Sequence, residues 1–375
     1  MGGEEEKRKE VDAAAVKRIV KQLNFGGSEE ERAEAALEVG RLARADGRTK
    51  RFLAELGVVP TLVRMIFDSR DLRSRISAAE ALIELGRGTF KNKVLMVEAG
   101  LLTKLPQLMP NKDFSRSQEL FLLLSSISSL AKTDFALNTS HILPLVFETL
   151  NANDATENTK LACLATLYNL STKLDNFKSI VSDDTIHALL TLSLDRRTSE
   201  GALSILSNLV VSPAAKRRIA DHSAVPKAFV EVMSWDDKPK CRELAVYLMM
   251  VVAQNGCRVY REKLVEHGAV EVLLEIALLG SDIARRRAMK ILQWIKNEGE
   301  VRMRVHSGPR VERVSLFDGC SGDREEEQCR RAIGEMVKES LKRNMASILR
   351  KATAIEGFSN VKGLCTSSSS KSLPY

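Results

Sequence analysis

Aromatic residues supply only 5% of this 375-residue chain. The apolar interior must therefore be built from Leu, Ala, Val and Ile, which suits helices stacked on helices. Nothing in the sequence has the spacing of a catalytic or metal motif. There is no phosphate-binding glycine loop, no GxGxxG ahead of a helix, no GxSxG and no HExxH. The six cysteines (Cys163, Cys241, Cys257, Cys320, Cys329 and Cys365) contain no CxxC and no Cys/His pairing at ligand spacing, which excludes a zinc module and fits reduced thiols. The histidines are scattered: His222 and His267 hold equivalent places before a turn, His141 and His187 lie in a repeated phrase, and His306 stands apart. No catalytic residue, cofactor or metal is predicted. No apolar run approaches a membrane span, and Met1 to Lys9 is too charged for a secretory signal. Glu6 sits where myristoylation of Gly2 needs Ser or Thr. The expectation is a soluble intracellular chain, cytoplasmic and/or nuclear, and monomeric.

What the sequence does contain is a phrase repeated six times. It reads Gly57-Val-Val-Pro-Thr-Leu62-Val, Gly100-Leu-Leu-Thr-Lys-Leu105, Ser140-His-Ile-Leu-Pro-Leu145-Val, Asp184-Thr-Ile-His-Ala-Leu189-Leu, Ser223-Ala-Val-Pro-Lys-Ala228-Phe and Gly268-Ala-Val-Glu-Val-Leu273-Leu. The first residues are spaced by 43, 40, 44, 39 and 45 positions. A period near forty, with only helical patterning inside it, marks an α-solenoid in which each unit buries its apolar face against its neighbours. Within a unit a short helix comes first (Lys50–Glu55, Lys93–Glu98, Lys216–His222 and Arg261–His267), then a helix opened by the phrase, then a longer third helix. Three helices per unit favour armadillo over two-helix HEAT repeats. The predicted fold is all-α, a right-handed solenoid of about six armadillo repeats with N-terminal capping helices and a C-terminal amphipathic helix.

The expected organisation is a charged, disordered N-terminus over residues 1–10 and capping helices over 11–46. Armadillo repeats follow over 47–297, then a linker over 298–324, a basic amphipathic helix over 325–353 and a disordered Ser-rich tail over 354–375. Ser28 and Glu31 have the spacing of a capping box. Charge is unevenly placed. Residues 1–284 hold 38 Lys+Arg against 38 Asp+Glu, so the remaining 19 basic and 11 acidic residues carry the whole net charge of +8. In the 325–353 helix, Arg330, Arg331, Lys338, Lys342, Arg343, Arg350 and Lys351 flank a stripe of Ile333, Met336, Val337, Leu341, Met345, Ile348 and Leu349. That stripe suits capping the end of the solenoid; basic flanks also suit an anionic membrane or a partner helix.

In an armadillo stack the third helices line the groove. The outward positions predicted for partner binding are Arg41, Glu84, Ser129, Asn169, Asn208, Val251 and Trp294. An amide in this row can grip a peptide backbone as donor and acceptor, but only Asn169 and Asn208 are amides. For those two the alternative is that they satisfy local backbone groups. Val251 and Trp294, with Tyr247, Met249 and Met250, make the later units more apolar along this line. The basic runs Lys216–Arg218 and Arg285–Arg287 have no interleaved aromatics for base stacking, which disfavours nucleic acid.

Ala165-Thr-Leu-Tyr-Asn-Leu-Ser171, followed by Asn176-Phe-Lys-Ser-Ile-Val181, resembles a stretch typical of plant U-box armadillo proteins. His306-Ser-Gly-Pro309 and Val337-Lys-Glu-Ser-Leu-Lys-Arg-Asn-Met345 resemble segments that follow the repeats in one branch of that family. The resemblance implies ubiquitin transfer, in which a U-box recruits the conjugating enzyme and the repeats hold the substrate. A U-box needs a Cys-Pro-Ile and Asp-Pro-Val type core upstream, and the residues ahead of these repeats are helical in pattern. The reading is therefore a relative without the U-box: a non-catalytic scaffold or adaptor that binds other proteins or extended peptides in the concave groove, with a link to ubiquitin signalling. The alternatives are the substrate-recognition part of a ubiquitin ligase, and peripheral membrane or nucleic-acid association through the basic C-terminal helix.

Overall fold

The computed structural model of the chain describes residues 2–110, 112–255 and 258–305. Every regular element among the described residues is helical. They belong to two compact units, residues 1–267 and 268–375.

The first unit opens with α1 (Gly2–Phe25) and α2 (Glu29–Ala45). Residues 1–10, expected to be disordered, are helical from Gly2 onward. At the start of α2 the Glu31 amide donates to Ser28 Oγ at 3.1 Å, and the Glu31 carboxylate accepts from the Gly27 amide at 2.9 Å. These bonds serve amides that have no partner inside the helix.

The first full repeat has all three expected helices: α3 (Gly47–Glu55), α4 (Val58–Asp68) and α5 (Leu72–Gly86). Gly57 makes the turn between α3 and α4 with φ of 77°, a left-handed conformation that a side chain would strain. Asp71 starts α5 by accepting from the Ser74 amide at 3.0 Å.

In the second repeat α6 (Phe90–Glu98) keeps its place, but the phrase after Gly100 does not open a second α-helix. Turns lead into a 3-10 segment, Leu105–Leu108. The cause is the position of proline. Pro60 and Pro144 fall at the third residue of their helices and Pro226 at the second, where no intrahelical donor is needed. Pro106 comes six residues after Gly100, where a helix would need its N–H and would drive its ring into a carbonyl one turn back. α7 (Lys112–Ser115) and α8 (Gln118–Ser128), extended by a 3-10 turn over Ser129–Lys132, complete this repeat.

The third repeat replaces its first helix with non-helical residues 133–141. Its side chains compete for the backbone there: Thr133 Oγ1 accepts from Phe135 N and Asn138 Oδ1 from Ser140 N. It continues with α9 (Ile142–Leu150) and α10 (Glu157–Leu170). In the fourth the first helix shrinks to α11 (Phe177–Ile180), before α12 (Asp183–Ser193) and α13 (Ser199–Leu209). The fifth is regular: α14 (Pro213–Asp221), α15 (Val225–Met233) and α16 (Pro239–Asn255), with α17 (Arg258–Glu266) closing the unit.

The third helices pack on one another in chain order: α2 on α5, α5 on α8, α8 on α10, α10 on α13 and α13 on α16. Their interior is aliphatic, with Leu82, Leu85, Leu124, Leu167 and Leu206 fully buried and Phe114, Phe121 and Phe229 the largest fully buried side chains. Gly40 lets α2 approach α5 closely, since a Cβ there would lie 3.3 Å from Ala81 Cα. This is an all-α solenoid that buries each repeat against the next.

The second unit contains α18 (Ala269–Leu279), packed on α19 (Asp282–Val305). Gly268 repeats the left-handed turn with φ of 78°. The linker expected from residue 298 is helical as far as Val305. Gly299 alone does not stop a helix made otherwise of Glu, Val, Arg and Met. The rest of the 298–324 segment, His306 and Ser315 included, the 325–353 helix with its seven basic residues and the 354–375 tail lie outside the described residues.

Candidate interaction face

Because the third helices lie side by side, each turns one row of residues away from its neighbours and away from the second helices beneath. On α2 that row includes Glu30, Glu34, Leu37, Arg41 and Arg44; on α5 it is Arg73, Ile76, Glu80 and Ile83, continued by Arg87 just past the helix end; on α10, Asn158, Leu161, Ala165 and Tyr168, continued by Thr172. The steps alternate between three and four residues, as one face of a helix requires. Leu37, Leu122 and Tyr168 are each 37–42% exposed here. These are the most exposed large apolar side chains on a face that also bears charged and polar groups, with Ile76, Ile83 and Leu161 half-buried in it.

The predicted row lands on this face only in part. Arg41 is exposed and held by Glu38 through two hydrogen bonds. That bonding also holds the Glu38 carboxyl below its ordinary value. Glu84 is only 4% exposed and turns toward α2, where Arg44 donates to its Oε1 at 2.9 Å. Ser129 is half-buried and accepts from Lys93 Nζ at 2.8 Å; burial draws the Lys93 ammonium down from its ordinary value. Asn169 is 9% exposed and donates from Nδ2 to Ser125 O at 3.0 Å and to Ser128 Oγ at 3.1 Å, both on the preceding third helix. Asn208 is half-buried and donates to Ser171 Oγ at 2.9 Å. Both amide nitrogens thus join one repeat to the previous one. Val251 on α16 is half-buried, with Met249 buried and Tyr247 and Met250 half-buried beside it. In the second unit Trp294 is half-buried, with Lys290 Nζ 5.7 Å from the ring centre.

Residues that sequence reasoning passed over carry more of the exposed face. Tyr168, one position before Asn169, is exposed and takes Lys132 Nζ over its ring at 5.1 Å. Leu37 and Leu122 occupy comparable outward rows on α2 and α8. The signal was available: Cys163, Leu164, Leu167 and Leu170 mark the inward side of α10, and Ala165 and Tyr168 lie opposite.

The ends of the third helices are tied across repeats by charge. Glu200 pairs with Lys240 at 2.5 Å, Arg116 with Asp154 at 2.6 Å, and Glu157 with Arg197. Beside α2, a cleft of about 310 Å³ is lined by Glu29, Glu30, Ala33, Glu34, Leu37, Asp71 and Arg73. Elsewhere the rings of His187 and His222 stack with centroids 5.6 Å apart. Cys163 and Cys241 are buried thiols, and burial pushes Cys163 far up from its ordinary value. Among the described residues no three His, Cys, Asp or Glu side chains are grouped to hold a metal ion, and no helix is long and apolar enough to cross a membrane.

No family model matches the chain. It is 25% identical over 256 residues to U-box domain-containing protein 45 of Arabidopsis thaliana, covering 67% of this chain and 33% of that protein. It is 26% identical over 200 residues to U-box domain-containing protein 7 of the same plant, covering 52% of this chain and 25% of that one. The chain thus spans a third or less of the length of these two relatives. Among solved structures it is similar to an engineered protein, Northeast Structural Genomics Consortium target OR497, with a TM-score of 0.54 and 20% identity over 88% of this chain and 90% of that one. A designed armadillo repeat protein, YIII(Dq)4CqI, has a TM-score of 0.41 and 16% identity over 74% of this chain and 98% of that one. With its forty-residue period and its stack of third helices, the chain is an all-α solenoid similar to the U-box domain-containing proteins of plants.

Proposed function

We propose that the chain is a non-catalytic interaction module that holds a partner protein segment on the outward face of its third helices. The observation that carries this reading is the placement of Leu37, Leu122 and Tyr168, exposed among charged and polar neighbours on a face running over α2, α5, α8 and α10. Apolar anchors with a polar surround are what a desolvated contact needs. The solenoid supplies a rigid backing, because each of these side chains stands on a helix rather than on a loop.

The test is affinity capture from a cell extract with full-length wild type and the Leu122→Glu/Tyr168→Ala variant. Partners recovered by wild type and lost by a variant of unchanged helical content support the reading. Identical recovery by both proteins refutes it.

The similarity to U-box domain-containing proteins favours a more specific form of the proposal, in which the captured partner is presented for ubiquitin transfer. A reconstituted reaction would contain ubiquitin, activating and conjugating enzymes, a U-box ligase and the captured partner. Faster partner ubiquitination on adding this chain supports that form, and no change in rate removes it.

A further inference from the structure

Near the C-terminal ends of α2 and α5, three exposed guanidinium groups stand on the outward face. Arg41 is held by Glu38 alone. Arg44 and Arg87 share one partner, Glu84: its Oε1 lies 2.9 Å from Arg44 Nη2 and 3.3 Å from Arg87 Nη2. Their side chains are 70% and 66% exposed, while the Glu84 side chain is 5% exposed. The two Nη2 atoms can therefore be no more than about 6 Å apart, a gap that one phosphate or carboxylate can bridge with a hydrogen bond to each side.

Two features mark this as more than a surface ion pair. One carboxylate cannot balance two guanidiniums, and Lys50 Nζ, 2.9 Å from the Arg87 carbonyl, adds a further positive charge. The excess faces solvent. Glu84 itself is costly to bury: its Oε2 is out of solvent with no hydrogen-bond partner, and a buried, half-satisfied carboxylate is a poor stabiliser. What it does achieve is to aim two flexible side chains at the same point from two adjacent repeats. Leu37, one turn before Arg41 on α2, provides apolar surface beside them.

We infer that Arg44 and Arg87, oriented by Glu84 and assisted by Arg41 and Lys50, form an anion clamp that takes a phosphorylated or acidic side chain of the partner segment. This deepens the proposed function and rests on it. In the cleft at the start of α2 the four carboxylates Glu29, Glu30, Glu34 and Asp71 outnumber Arg73 and disfavour the same anion, which favours the C-terminal end of α2 for the acidic residue.

The experiment is fluorescence anisotropy of the full-length protein with labelled peptides Gly-Ser-Gly-Xaa-Leu-Gly-Ser-Gly, where Xaa is phosphoserine, glutamate or serine, with sodium phosphate as competitor. The phosphoserine or glutamate peptide binds at least about tenfold more tightly than the serine peptide, and Arg44→Ala/Arg87→Ala removes that difference. Whichever of the two acidic peptides is the tighter identifies the anion. Glu84→Gln decides between aiming and mere attraction. It raises the local positive charge, so simple attraction predicts tighter binding, whereas a clamp that has lost its support binds about threefold more weakly. Arg44→Lys keeps the charge, loses the fork and also weakens binding. Thermal unfolding confirms that each variant is folded.

Equal or tighter binding by folded Glu84→Gln overturns the inference, as does equal affinity for all three peptides. Inorganic phosphate alone binding as tightly as the phosphopeptide also overturns it, because the partner segment would then contribute nothing. If Arg44→Ala/Arg87→Ala still captures every partner that Leu122→Glu/Tyr168→Ala loses, the clamp fails and the interaction face stands. If neither variant loses a partner, the face itself fails.

Discussion

Replacing Asn169 by alanine separates a residue that joins repeats from one that grips a ligand. In the folded chain its amide nitrogen reaches Ser125 O at 3.0 Å and Ser128 Oγ at 3.1 Å. Each such bond contributes about 1 kcal/mol net. The loss is kept from growing larger because Ser128 Oγ still donates to Ser125 O at 2.9 Å, so that carbonyl is not orphaned. The substitution therefore costs about 2 kcal/mol, or about a 30-fold increase in local opening. Asn208 supplies a useful comparison, since it is less buried and makes one bond of this kind, to Ser171 Oγ at 2.9 Å. Asn208→Ala should cost about 1 kcal/mol and raise opening about fivefold. Repeat arrays open in segments, so the assay is hydrogen exchange followed by mass spectrometry on peptides covering residues 118–132 and 157–171. Faster exchange in both peptides, with partner capture unchanged below the unfolding temperature, fits the joining role. Unchanged exchange together with lost capture would refute the reasoning and return Asn169 to the binding surface.

Three other perturbations test separate parts of the structure. Gly40→Leu puts a side chain where even a Cβ would lie 3.3 Å from the α5 backbone at Ala81. It should destabilise the first unit by about 2 kcal/mol or more, seen as a lower urea midpoint, and an unchanged midpoint would mean that α2 and α5 do not pack this closely. Cys163 is fully buried with its thiol driven upward, so iodoacetamide should leave it unmodified in the native protein and label it in urea; native labelling would contradict its place in the core. The Asp46 and Asp71 carboxyls are held below their ordinary value, chiefly by the backbone N–H groups of Thr49 and Ser74. A carboxyl lowered in the folded state stabilises above the unfolded value, about pH 4, and loses that contribution as pH falls through the folded value. The double variant Asp46→Asn/Asp71→Asn should therefore show a shallower fall in melting temperature between pH 5 and pH 3, and a slope equal to wild type would remove this assignment.

Much of the fold is legible in the sequence because a solenoid repeats its instructions. The phrase beginning at Gly57 recurs at Gly100 and Gly268, and all three glycines adopt the same left-handed turn. Reading each copy as identical is where sequence reasoning failed. Pro106 forbids the second helix in the second repeat, and the Thr133 and Asn138 side chains bond nearby amides where the first helix of the third would form. Both were decipherable residue by residue. The outward row was harder to read, since consecutive residues on a helix point about 100° apart and a neighbour decides which of two adjacent residues is covered. α8 covers Asn169 and leaves Tyr168 outside.

The same step of 43 that relates Gly57 to Gly100 relates Arg41 to Glu84 and Arg44 to Arg87. The predicted row paired the first two as equivalent surface residues. In the structure the equivalence is broken by charge: Glu84 turns inward toward Arg44, and Arg87 stands where repetition of Arg44 places it. A like-charged pair one repeat apart, with an acid one turn earlier in the second copy, is a pattern visible in a single sequence once the period is known. Two guanidiniums brought close by repetition would repel without that acid. Its burial, with one oxygen left unbonded, is the structural cost of keeping them together. A solenoid that needed only stability at this position would do better with an apolar residue, so what the Glu84 carboxylate supplies is the pairing of Arg44 with Arg87.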